Sequence, residues 1–256
     1  MTAWILLRGL TREASHWGGF PERLRLALRA GDEGDTVTLI DLPGNGQTLG
    51  MRAPLDVAGM TDFVRARAAQ LRLAPPYRVL AMSLGGMVAT DWAQRHPEEI
   101  VRLVLINTSM RPFCAMYERL RPAAWPALVR IAQHWRAPER CEALVHELTC
   151  NRHDNRADDI ATWAEIRRTR GAGAANGLRQ LWAAARFRAG RDAPRCPTLL
   201  LSSAADHLVN PVCSARIAAE WLTAHVEHPW AGHDLPHDDP EWTSKTLIDW
   251  CREDGG

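Results

Sequence analysis

The sequence predicts a doubly wound α/β fold with a mostly parallel sheet and a helical cap insertion. Three observations predict it. Short, continuously apolar runs alternate with helix-period segments; a long central stretch lacks any convincing strand; the alternation then resumes to the end of the chain. Continuous apolar runs fit strands buried on both faces, as in a parallel sheet covered by helices. With 256 residues and 46% hydrophobic content, the chain can fill one substantial core and carry an insertion.

The first run, Ala3–Leu7, is short, apolar and stopped by Arg8-Gly9, so it reads as a buried strand. A helix follows over 17–30, with Leu24, Leu26 and Leu28 among charged residues. Thr36–Ile40 gives the second strand, halted by Asp41-Leu42-Pro43-Gly44-Asn45-Gly46. Residues 55–73 resume helical spacing through Val57, Met60, Phe63 and Val64. Tyr77–Met82 runs straight into Ser83-Leu84-Gly85-Gly86, after which 87–96 looks helical and Pro97 ends it; residues 101–106 form a fourth strand. From residue 111 to 195 the chain is rich in Arg, Trp and Ala, and Pro112, Pro122, Pro126 and Pro138 punctuate short helices. We read this span as a helical cap. Strands over 197–202 and 225–228 and helices over 215–221 and 240–251 complete the pattern, giving a core of residues 1–110 and 196–256. Right-handed crossovers make such a sheet parallel.

Bulk properties exclude several functions. A formal net charge of +1 is not that of a nucleic-acid binder, whose domains are strongly basic. No run of about 18 apolar residues occurs, so no membrane span is expected, and the amino-terminal apolar run lacks the flanks of an export signal. Six cysteines (Cys114, Cys141, Cys150, Cys196, Cys213 and Cys251) form no CxxC pair or dense framework. They read as reduced thiols, which places the protein in the cytoplasm.

The chemistry concentrates at three places. Ala81-Met82-Ser83-Leu84-Gly85 sits between a strand and a helix, where an exposed serine needs a very tight turn with small residues two positions to either side. Alanine stands where glycine is usual. The following helix directs backbone N–H groups and positive potential toward the serine. Asp206 follows the strand over 197–202, and His233 follows the last strand in Ala231-Gly232-His233-Asp234. The order Ser, Asp, His is the one this topology uses to build a nucleophile, a base and an acid that orients the base.

With these residues the chain resembles the α/β-hydrolases over nearly its whole length, Ser83, Asp206 and His233 standing at the family's triad positions. The resemblance implies acyl transfer to water without a cofactor or metal, with the backbone N–H groups of Leu10 and Leu84 as oxyanion donors. The small-molecule substrate it implies is a carboxylic ester. The layout is most similar to small carboxylesterases, including those that cleave methyl esters of acyl chains on an acyl carrier protein. Carbon–carbon bond or lactone hydrolysis by the same triad, and a non-catalytic binding protein on this fold, are the alternatives. One departure stands out: Arg8-Gly9 occupies the place where the family commonly has His-Gly.

Other candidates are set aside. His207 and His228 are expected to be surface or packing residues, and Asp234, Asp238 and Asp239 to cap the final helix. His233-x-x-x-His237 has metal-pair spacing, but Pro236 disfavours the helix that would align the rings. Residues 171–177 read as a turn in the cap, and the Asp41 to Gly46 segment as turn geometry. Residues 111–195 hold 16 Arg and no Lys against 9 Asp and Glu, a formal +7, leaving −6 elsewhere. Two readings stand: a solvated helical surface in an arginine-favouring composition whose only lysine is Lys245, or a basic face that includes Arg119, Arg121, Arg130 and Arg136 beside the mouth of the site and attracts an anionic substrate or an acidic carrier protein.

Overall fold

A computed structural model describes residues 3–29 and 36–253. Six strands, β1 (Ala3–Leu7), β2 (Thr36–Ile40), β3 (Tyr77–Met82), β4 (Ile100–Ile106), β5 (Thr198–Ser203) and β6 (Ala224–His228), form one sheet in the order β2-β1-β3-β4-β5-β6. All five pairings are parallel.

Successive side chains of a strand point to opposite faces, and both faces are buried. On one face Ile5, Leu7, Val79, Leu103 and Leu200 pack against helices α2 (Val57–Gln70), α3 (Leu84–Arg95) and α9 (Val212–Trp221). On the other, Trp4, Leu6, Leu80, Val104 and Leu199 pack against α1 (Phe20–Arg29) and α11 (Pro240–Glu253). This two-sided burial explains why the inner strands read as apolar runs, while the edge strand β6 (AHVEH) is largely exposed. The sequence carries the first helix to Ala30, which lies outside the described residues.

Two boundaries differ from expectation for a physical reason. Helix α3 begins at Leu84, three residues earlier than expected, and takes Gly85 and Gly86 into its first turn despite their poor helix propensity. A Cβ on Gly85 would lie 2.6 Å from the Arg8 carbonyl oxygen and 2.7 Å from that of Leu7, so the helix abuts the end of β1 backbone to backbone. Close packing decides here over propensity. Helix α8 (Ala174–Arg186) likewise absorbs residues 174–177 that had read as a turn.

Between β4 and β5 the chain forms α4 (Met116–Arg119), α5 (Trp125–Gln133), α6 (Pro138–Thr149), α7 (Arg156–Arg170) and α8. The segment leaves and rejoins the sheet at one place, where the Ala189 N–H donates to the Arg111 carbonyl at 2.8 Å. Its seam with the rest is mixed: Phe113, Ala183, Phe187 and Ala189 join the main core, and buried polar contacts stand beside them. Glu142 on α6 is buried between Arg12 and Arg167, each at 2.6 Å. Arg12 also lies over Trp163 and Arg167 over Trp135, which covers the apolar flanks of both cations.

Candidate active site

The sequence-predicted residues converge at the carboxyl ends of the parallel strands, the edge where open α/β sheets build their sites. Ser83 follows β3 directly and caps α3 with φ 53° and ψ −120°. A residue with a side chain rarely adopts this conformation, so the turn is strained and held by its surroundings. The Ser83 N–H donates to the Ile106 carbonyl at 2.9 Å, and the Thr108 hydroxyl donates to the Ser83 carbonyl at 2.8 Å. Ala81 and Gly85 supply the small neighbours: Ala81 is fully buried in β3, and Gly85 permits the backbone contact with β1.

Asp206 and His233 are both buried, and His233 Nδ1 donates to Asp206 Oδ2 at 2.7 Å. The other Asp206 oxygen accepts from the N–H groups of Leu208 (2.7 Å) and Val209 (2.9 Å), which fixes the carboxylate. Burial alone would lower the His233 pKa. The Asp206 carboxylate outweighs it, helped by Asp234 and opposed by Arg8, so the imidazole's pKa lies above its ordinary value. Among the described residues no hydrogen bond joins His233 to Ser83 Oγ. Contacts of this kind often tighten only when substrate is bound.

The loop after β1 lies against the serine. A Cβ on Gly9 would stand 3.0 Å from Ser83 Cβ, and Leu10 is the next residue of this loop. Leu84 is the first residue of α3, and an N–H there has no acceptor within its own helix. The Thr11 N–H donates to Gln180 Oε1 at 2.9 Å, while Gln180 Nε2 donates to Asn45 Oδ1 and the Pro43 carbonyl. Buried Gln180 of α8 thus joins this loop to the turn after β2.

Arg8 resolves the departure noted at the end of β1. Its guanidinium is buried and forked onto Asp234, with Nη1 to Oδ1 at 2.9 Å and Nη2 to Oδ2 at 2.5 Å. Nη1 also contacts Met82 Sδ at 2.9 Å, and the plane lies over Trp17. One side chain therefore touches the residue before Ser83 and the residue after His233, and is itself followed by Gly9. Burial would raise the Asp234 pKa, but Arg8 overrides it and holds the carboxyl at about 2.

Several expectations need correction. Asp234 does not cap the final helix: it stands at the N-cap position of the short helix Leu235–Asp238, and its carboxylate goes to Arg8 instead of making a cap bond. Asp238 accepts from the N–H groups of Gly232, Asn151 and Arg152, and of the three acids only Asp239 caps α11, accepting from Trp242 N–H at 2.9 Å. Arg119 is buried and donates to the Ala184 and Ala185 carbonyls, and Arg121 donates to the Asp206 carbonyl at 2.6 Å. Both are braces, leaving Arg130 and Arg136 of the four as exposed charges. Sequence reasoning also missed Asn107, whose amide donates to the Ser203 hydroxyl and the His233 carbonyl. An Asn directly after an apolar strand is the signal that could have found it, since Asn tolerates the left-handed φ of 45° that the chain adopts there.

A family model described as "Alpha/beta hydrolase family" matches residues 4–246. Among curated proteins the chain is similar to a pimeloyl-[acyl-carrier protein] methyl ester esterase of Chromobacterium violaceum, 31% identical over 112 residues, covering 44% of this chain and 36% of that protein. It is also similar to one of Sodalis glossinidius, 33% identical over 144 residues, covering 56% and 45%. The aligned parts span under half the length of either relative. Among solved structures, an esterase from Thermogutta terrifontis has a TM-score of 0.74 at 20% identity, covering 99% of this chain and 90% of that one. An enol-lactonase from Burkholderia xenovorans has a TM-score of 0.74 at 20% identity, covering 98% and 92%.

Proposed function

The chain belongs to the alpha/beta hydrolase family, and from that premise we propose that it is a serine hydrolase that cleaves carboxylic esters through an acyl-enzyme. The observation that carries this reading is the buried Asp206–His233 hydrogen bond of 2.7 Å at the same sheet edge as the strained Ser83 elbow. Asp206 fixes the proton on Nδ1, which presents Nε2 as the basic nitrogen toward Ser83. Ser83 Oγ attacks the ester carbonyl as its proton passes to Nε2. The C=O electron pair moves onto oxygen, held by the N–H groups of Leu10 and Leu84. Collapse re-forms the carbonyl, breaks the bond to the alcohol and gives that oxygen the proton from Nε2. Water repeats the attack, its proton going to His233, and the acid leaves as Ser83 Oγ is reprotonated.

Arg8 and Asp234 act as positioning residues in this scheme, because their ion pair joins the oxyanion loop to the histidine loop. Helices α4–α8 serve as a cap that selects the acyl group. The resemblance to the two esterases favours an acyl chain carried on an acidic carrier protein, and the exposed Arg130 and Arg136 supply part of the complementary charge. No helix among the described residues is long and apolar enough to cross a membrane. The cysteine pattern, without a CxxC pair or a dense framework, favours a reducing compartment and with it a site of action in the cytoplasm.

Labelling with a fluorophosphonate tests the proposal. One label per chain on Ser83, abolished by Ser83→Ala and strongly slowed by His233→Ala, is the expected result. Folded protein that takes no label would mean a binding protein on a hydrolase scaffold.

A further inference from the structure

A second cluster of chemically competent side chains lies apart from Asp206 and His233, between α6, α7 and the short helix α10 (Leu235–Asp238). His146 and Cys150, one helical turn apart at the end of α6, meet His237 of α10, and one donor atom from each lies within 4.8 Å of the other two. This is not the His233/His237 pair set aside on spacing, since His233 is bonded to Asp206.

An independent observation points to a ligand. His146 is fully buried, yet neither ring nitrogen has a hydrogen-bond partner. A buried polar group left unpaired costs about 1–3 kcal/mol, so native structures rarely keep one without a further partner such as water or an ion. Asp159 of α7 supplies an orienting carboxylate: Oδ2 lies 3.2 Å from His237 Nε2 and 3.6 Å from His146 Nε2. A carboxylate behind the imidazoles is the arrangement that fixes ring orientation in metal sites. The Trp163 ring lies 5.5 Å from His146 and 5.0 Å from His237 and shuts the cluster off on that side.

We propose that His146, Cys150 and His237 bind a borderline-soft divalent transition-metal ion, with zinc the best match to two imidazoles and one thiolate. Hard cations such as magnesium and calcium take oxygen ligands and are poorly served by this set. On binding, the Cys150 thiol loses its proton to solvent as the sulfur–metal bond forms, while both imidazoles bind as neutral donors. With the thiolate and Asp159 each contributing −1, the +2 ion leaves the buried cluster formally neutral. Part-exposed His237 gives an entry path and leaves room for water as a fourth ligand. Because α10 follows the His233 loop directly and α6 and α7 belong to the segment between β4 and β5, the ion ties the two together.

The test uses the full chain purified without a polyhistidine tag, stripped with a chelator, and titrated with Co²⁺ and then Zn²⁺. One cobalt per chain is expected, with a thiolate-to-cobalt charge-transfer band and visible bands of tetrahedral intensity, both erased by zinc. Cys150→Ser should lose the charge-transfer band, Asp159→Asn should weaken affinity about 10- to 100-fold, and His134→Gln, a control outside the cluster, should change neither. Zinc should raise the unfolding temperature of the parent protein. Substoichiometric binding, or stoichiometric cobalt binding without the thiolate band, would overturn the assignment. The parent protein decides this even where a variant fails to fold, and the readouts do not depend on esterase activity.

Discussion

Replacing Asp234 by Asn should damage this protein more than any surface charge change, because it leaves the buried Arg8 guanidinium without a counter-charge and with one carbonyl acceptor in place of two, beside Met82 and Trp17. Two routes give the magnitude. Holding the Asp234 carboxyl at about 2 rather than 3.8 corresponds to roughly 2.5 kcal/mol of favourable interaction with the ionised form. The sign follows from the depressed pKa: this contribution is present above about pH 4 and is lost as pH falls through about 2. Removing one partner of a buried pair costs more, about 3–5 kcal/mol, since the surviving charge is left without compensation. Urea unfolding at pH 7 should therefore show Asp234→Asn and Arg8→Met each destabilised by about that amount with little change in the slope. The double variant Arg8→Met/Asp234→Leu should recover most of the loss, because an apolar replacement of a buried ion pair is often near neutral. Turnover of a small ester, measured where every variant is folded, should stay low in that double variant, since a shift of about 1 Å in a catalytic loop can cost on the order of 100-fold. Additive losses would refute the pair as a unit. A double variant that regained both stability and full turnover would refute positioning and leave Arg8–Asp234 a purely structural contact.

Ser83→Ala and His233→Ala should each remove most turnover while the fold persists, and the double variant should be scarcely worse than either; multiplied losses would mean the two do not act together. Activity should rise with pH through a single group whose pKa lies above 6.5, since the base must be neutral and Asp206 raises its pKa, and in Asp206→Asn the surviving activity should show that limb at lower pH. A limb at the same pH in both proteins would break the assignment of His233. Rising salt should lower kcat/KM for an acidic carrier-bound ester more than for a neutral short ester, and Arg130→Gln/Arg136→Gln should narrow that difference. Equal salt responses for both substrates would remove the basic face from the reaction.

The sequence made the sheet legible because strand and helix periods are local, and the runs of β1 to β5 can each be read within a few residues, whereas the edge strand β6, Ala224–His228, has no apolar run. The meeting of Ser83, Asp206 and His233 was legible for a related reason: Ser83 follows β3 directly, and Asp206 and His233 stand in the loops after β5 and β6, so topology brings them to one edge. The partners of those residues were not. Arg8 reads as a departure from a motif, Asp234 as one of three acids near a helix start, and nothing local tells that two residues 226 positions apart share a pair of hydrogen bonds. Asp234, Asp238 and Asp239 look equivalent in sequence yet bind a guanidinium, a set of backbone N–H groups and a helix end respectively. Likewise Arg119 and Arg121 counted as surface charge, because composition cannot distinguish an exposed guanidinium from one that satisfies carbonyl groups inside.

The contacts that could not be read from the sequence share a location. Arg8, Arg12, Glu142, Gln180 and Asp234 are all buried, and all lie where loops at the carboxyl edge of the sheet meet one another or the helices between β4 and β5. An apolar seam there would be as stable, since buried ion pairs seldom add net stability over hydrophobic replacements of the same shape. What a forked guanidinium and a fully bonded amide add is direction: Arg8 meets Asp234 through two hydrogen bonds, and Gln180 bonds Thr11 and Asn45 at once, so each fixes an orientation that a methyl group would leave free. The loops so fixed carry Gly9, Leu10 and His233. Geometry at that edge is therefore held by directional contacts whose partners are far apart in the chain, which is why the strands could be read from the sequence and the fastening of the site could not.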